Sequence, residues 1–181
     1  LASTASSSGT AGIHQGDDGL DVRGNAIVDG DATITLNASA TSVGDSSSDG
    51  SDADAQLSGA YGYTHSNTSE YTAVRGNLDF DGDVLATVSS DATITTGNAN
   101  AQSDITSEVI GIDHTDLIDV DGNADIDSGV NATLTSVANS TTGDATADSA
   151  ADAQVVSMTS GDQNIDVEGT LTIDGDVDLT N

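Results

Sequence analysis

Four aspartates recur at one offset of a repeated segment, Asp29, Asp81, Asp127 and Asp174, and Asp31, Asp83 and Asp176 lie two residues behind three of them. Carboxylates stacked in rows about 5 Å apart raise one another's pKa or recruit a hard cation, and Ca²⁺, bound by several oxygens, is the ion such a row suits. The same residues also work as plain turn formers standing in solvent. The run Asp119-Val-Asp121-Gly-Asn-Ala-Asp125-Ile-Asp127 resembles a calcium loop but lacks the glycine and the closing glutamate of an EF-hand. Calcium is therefore the one expected cofactor, with these seven aspartates as its candidate ligands.

Other chemistry finds little to stand on. His14, His65 and His114 sit at related places and read as turn markers or stacked rings rather than metal ligands or bases. No nucleophile-elbow, phosphate-loop or zinc-protease pattern is present, and paired carboxylates are too abundant to single out a glycosidase dyad. No catalytic residue is assigned, and the chain is read as not an enzyme. Four N-x-[ST] sequons, at Asn37, Asn67, Asn131 and Asn139, are glycosylation candidates. Tyr61, Tyr63 and Tyr71 are read as core filling or as lateral contacts between assembled chains.

The elements that must hold these residues are built from an unusual alphabet. The 181 residues include 31 Asp and Glu against Arg23 and Arg75 alone, for a formal charge of −29, and there is no Lys, Cys, Pro or Trp. So negative a surface repels nucleic acid and anionic membranes, and the compact state needs salt or divalent cations to screen it. Without Cys, disulfides, thiol catalysis and the usual zinc sites are excluded. No apolar run approaches a bilayer span of roughly 20 residues. Acidity, the absence of Lys and a first residue other than Met point to a mature extracellular or cell-surface product.

Self-similarity organises the chain. Val22–Leu36, Val74–Val88, Val120–Leu134 and Val167–Asn181 align without gaps, their starts 52, 46 and 47 residues apart. An AxAQ marker ending at Gln56, Gln102 and Gln154 is taken to keep the same register. Every second aligned column is apolar or small, so the period is two and the elements are strands, with Asp-Gly steps between them. The expected fold is an all-β, β-solenoid-like repeat protein. The alternative is an antiparallel β-sandwich of hairpin repeats with strand complementation between subunits, since Asp-Gly between alternating strands also signals a hairpin. The domain reading is one structural unit: 1–21 completing a neighbour's repeat, repeats at 22–73, 74–119 and 120–166, and a partial repeat at 167–181.

The V-x-G-N-x-x-[IV]-D-G-D-[AV] segments resemble the short-strand coils of bactofilins and other polymer-forming β-helix proteins. That resemblance implies end-to-end polymerisation through a compact β-helix. The Asp/Ser/Ala-rich insertions and the acidity depart from the cytoplasmic, cytoskeletal pattern.

The repeat is broken at both ends, and neither end carries an atypical cap of the kind that stops open-ended stacking. The expectation is a homopolymer of copies of this chain, joined head to tail by β-strand addition into an extracellular filament, sheath or biofilm-matrix fibre. Its assembly residues are Arg23, Glu168, Leu171, Ile173, Val177 and Leu179. A monomeric, calcium-stiffened segment of an adhesin or ice-binding protein is the alternative, to which Thr33 and Thr35 lend slight support. No nucleic acid partner and no membrane span are expected.

Overall fold

The computed structural model describes residues 2–15, 20–44, 49–65, 71–112, 117–158 and 164–181. Four strands recur in each repeat. The first set is β1 (Ser3–Gln15), β2 (Leu20–Val22), β3 (Ala26–Val28) and β4 (Ala32–Ser42). The second is β5 (Gly50–His65), β6 (Tyr71–Val74), β7 (Leu78–Phe80) and β8 (Val84–Thr96). The third is β9 (Asn98–Ile112), β10 (Leu117–Val120), β11 (Ala124–Ile126) and β12 (Val130–Thr142). The last is β13 (Ala145–Met158), β14 (Asn164–Val167), β15 (Leu171–Ile173) and β16 (Val177–Thr180).

Strands with the same place in successive sets pair in parallel. The results are a first wide sheet β1-β5-β9-β13, a first narrow sheet β2-β6-β10-β14, a second narrow sheet β3-β7-β11-β15 and a second wide sheet β4-β8-β12-β16. Each set is thus one rung, and rungs stack in register: Val22 pairs with Val74, Val74 with Val120 and Val120 with Val167. The ladder runs on through the corners, where the amides of Arg75, Asp121 and Glu168 donate to the carbonyls of Val22, Val74 and Val120 at 2.8, 2.9 and 2.9 Å.

This architecture corrects the expected fold class on both counts. The antiparallel sandwich fails because the Asp-Gly steps close no hairpins: the strand after each step joins a different sheet and pairs in parallel with a segment one repeat away. The β-solenoid-like reading, with its narrow coil of short strands, gives way to an all-β fold of four parallel four-stranded sheets. Two of these sheets are built mainly on strands of 11 to 16 residues, while the other two use strands of three or four. Long alternating runs such as VLATVSSDATITT stay extended because their β-branched residues suit a pleated surface and no Gly or Pro interrupts them.

Alternation decides what is buried. Along β8 the inward residues Val84, Ala86, Val88, Ala92 and Ile94 are at most 3 % exposed while their neighbours face out. The wide sheets pack on each other through small residues, among them Ala38, Ala40, Ala53, Ala55, Ala99 and Ala101. The larger Leu78, Phe80, Val120 and Ile126 fill the side closed by the narrow sheets. Serines replace alanine in part of the seam between the wide sheets, and there hydroxyls meet: Ser90 Oγ lies 2.9 Å from Ser103 Oγ, and Ser136 Oγ lies 3.0 Å from Ser149 Oγ. Ser103 also donates to the Thr135 carbonyl at 2.9 Å. Hydroxyls satisfied in this way tie the sheets together, their hydrogen bonds offsetting the cost of leaving water.

The AxAQ marker is out of register. Gln56 pairs with Asp104 and Gln102 with Asp148, because the connections from β4, β8 and β12 into the next wide strand differ in length. The slips are even-numbered, so alanines still point inward. Among the described residues, no helix is long and apolar enough to cross a membrane.

Candidate functional site

The candidate carboxylates sit on the corners between the second narrow and second wide sheets. Asp29, Asp31, Asp81, Asp127, Asp174 and Asp176 are exposed and Asp83 is half-buried. Asp83, Asp127, Asp174 and Asp176 converge with Asp178, Asn131 and Gly129 on an open cleft of about 260 Å³. Two of the row are already committed to the backbone. Asp31 Oδ1 accepts from the Asp83 amide at 3.1 Å, and Asp83 Oδ1 from the Gly129 amide at 2.7 Å. Among the described residues, no group of three or more His, Asp or Glu side chains has the geometry to hold a metal ion. The chemistry visible in the row is corner fastening between rungs.

Asparagines do the same at the preceding corner. Asn25 Oδ1 accepts from the Asn77 amide at 3.0 Å, Asn77 Oδ1 from the Asn123 amide at 3.0 Å, and Asn123 Oδ1 from the Thr170 amide at 2.9 Å. Sequence reading missed this ladder although its column, the Asn of V-x-G-N, was in plain view. Asp178 and Asn131 of the cleft were likewise passed over as cleft residues, since neither belongs to the turn column.

Arg75 is the basic residue whose contacts are resolved. Its Nη1 lies 3.1 Å from Asp121 Oδ1 and 3.7 Å from Asp119 Oδ2 on the rung after it, and its Nε lies 3.9 Å from Asp21 Oδ1 on the rung before. Its side chain is 43 % exposed, so this is a solvent-screened clamp rather than a buried ion pair. Arg23 is the same column one rung earlier and is exposed.

Three sequons share one surface. Asn37 on β4 and Asn131 and Asn139 on β12 all point outward from the second wide sheet, and Asn37 accepts a hydrogen bond from Ser89. Asn67 and His114 lie outside the described residues, as do the side chains of His14, His65, Tyr61, Tyr63 and Tyr71. The backbone register sets His14 beside Thr64 and His65 beside Gln15 and Ile112. The T-x-T pairs do not form a two-column array. Thr35, Thr87, Thr133 and Thr180 make one column, while Thr33 is succeeded by Leu85, Asn131 and Asp178.

The two ends of the stack differ from its middle. On the last rung Leu171, Ile173, Val177 and Leu179 are 42 to 48 % exposed, whereas Ala124, Ile126, Val130 and Ala132, directly beneath them, are at most 2 % exposed. On the first rung Val22, Ala26, Val28, Ala32, Ile34 and Leu36 are only partly buried. These residues point inward like the rest of their columns, and no described residue covers the outer side of their rung. The candidate assembly residues therefore all lie on end faces: Arg23 on one, and Glu168, Leu171, Ile173, Val177 and Leu179 on the other. Comparison with family models, with curated proteins and with solved structures finds no match to this chain.

Proposed function

We propose that this chain is a structural subunit that stacks on copies of itself, head to tail, into an extracellular filament, sheath or matrix fibre. The observation that carries the reading is the pair of uncovered apolar end faces, each bounded by four strand edges with backbone groups free to pair. A contact between unlike ends does not close on itself and propagates into a fibre. The extreme acidity supports an environment rich in salt, outside the cell, where such a subunit remains soluble until its ends meet. A stack held by backbone ladders and small-residue packing supplies length and stiffness, which is what a fibre subunit is for.

Negative-stain microscopy and sedimentation velocity over a range of protein and salt concentrations test the reading. Unbranched fibres one stack wide, appearing above a critical concentration, are expected. Leu171→Glu, which charges the exposed face and leaves the buried rungs alone, should remain folded and monomeric. A wild-type chain that stays monomeric at every concentration and salt condition rejects the proposal.

A further inference from the structure

Glycines at the corners are there for the neighbouring rung. A methyl group on Gly76 would sit 2.8 Å from the Gly24 carbonyl carbon, one on Gly122 would sit 2.9 Å from that of Gly76, and one on Gly169 would sit 2.9 Å from that of Gly122. At the next corner, a methyl on Gly82 would lie 2.7 Å from the Gly30 carbonyl carbon and one on Gly175 would lie 2.8 Å from that of Ser128. Real Cβ atoms do not tolerate such distances from backbone, so each of these positions admits only hydrogen while the rung before it is in place.

Gly24 and Gly30 occupy the same columns on the first rung, and there a methyl group meets nothing within 4 Å. Among the described residues only Gly97 and Gly143 have positive φ, so backbone conformation does not require glycine at 24 or 30 either. The fold of this chain makes no steric demand at these two positions; a backbone stacked beneath them would, most strictly at Gly24, whose column is glycine on all four rungs, while the Gly30 column carries Ser128 on the third.

Resting on the filament reading above, we infer that the seam between copies repeats the register found between rungs, with Gly24 and Gly30 admitting the backbone of Gly169 and Gly175 of a second copy. Three further features fit a second copy of this chain as the occupant. The column Ala26, Leu78, Ala124, Leu171 alternates small and large, and Ala26 of the copy continues the alternation over the exposed Leu171. Ser7 Oγ is buried without a hydrogen-bond partner, and its column ends in Ser149, whose hydroxyl the seam brings next to it. Arg23 is exposed and has a like charge, Arg75, on the rung after it. Across the seam it faces Asp166 and Glu168, which stand in the columns of Asp119 and Asp121, the carboxylates that Arg75 clamps.

The test uses the full chain and two sets of variants. Gly24→Ala with Gly30→Ala should leave the monomer's circular dichroism and melting temperature unchanged or slightly raised, since a compatible Gly→Ala change restricts the unfolded chain. The same double variant should raise the critical concentration for fibres at least tenfold, because the added methyls meet the copy's backbone. Gly76→Ala, by contrast, should lower the melting temperature of the monomer itself. Arg23→Glu and Glu168→Arg should each shift assembly by roughly tenfold when alone, as expected for reversing an exposed pair, and an equimolar mixture of the two should assemble like the wild type. Fibres from the Gly24/Gly30 variant at the wild-type critical concentration, or a mixture no better than its components, would overturn the seam while leaving the fibre intact. A wild-type chain that never assembles overturns the filament reading and the seam together.

Discussion

Asp79 shows which way this fold pushes a carboxylate crowded by others. It sits outward on β7, and partial burial, then the charges of Asp81, Asp125, Asp127 and Asp29, raise its pKa above the ordinary carboxylate value. The folded state therefore holds that proton more tightly than the unfolded chain does. Stability from this group is present at low pH and is lost as pH rises from the ordinary value through the raised one. Asp79→Asn removes the repulsion, so its denaturation midpoint at neutral pH should exceed the wild type's, and the gap should close on acidification below the carboxylate range; urea titrations at two pH values measure this. At the same scale, the turn aspartates were legible because they share an offset, and so were the apolar residues of the last segment because they continue a column. The role of Gly24 and Gly30 was not, since a glycine kept for close approach looks in sequence like a glycine kept for a turn.

Among the elements, the corner between β8 and β9 is the tightest. Gly97 alone connects two long strands, with φ of 117°, and its counterpart Gly143 has φ of 143°. An L side chain is strained in that conformation, and a methyl on Gly143 would also press on the Gly97 carbonyl. Gly97→Ala should cost about 1–3 kcal/mol of stability, read as a lowered midpoint in equilibrium unfolding, without changing the strand content seen by circular dichroism. Strand positions and inward faces were legible from the period of two. The path of the chain after an Asp-Gly step was not, because a hairpin and a corner into a new sheet use the same dipeptide, and only the pairing partner, 46 to 52 residues away, separates them. The AxAQ marker misled for a related reason: alanine alternation survives a slip of two residues, so motif likeness cannot fix register there.

For the whole molecule, the corners between the second narrow and second wide sheets place aspartates over one another, and Arg23 and Arg75 are the chain's only Arg or Lys residues against 31 carboxylates. Screening should therefore govern both folding and stacking. The melting temperature and the fibre yield should rise with sodium chloride from low to high ionic strength, and calcium and magnesium at equal concentration should act alike; scanning calorimetry in matched salts, before and after chelation, checks this. A large gain specific to millimolar calcium would reveal a bound ion that the described carboxylates do not assemble. The fold carries one further consequence through its rung spacing. Four rungs at about 4.8 Å span roughly 19 Å, and the net charge of −29 lies along that length. One charge per roughly 0.7 Å is denser than the 1.7 Å of duplex DNA, a density at which counterions condense on the axis. A fibre of this chain is then a protein polyelectrolyte, wrapped in a sheath of bound cations and drawing water toward itself by the osmotic pressure of those ions.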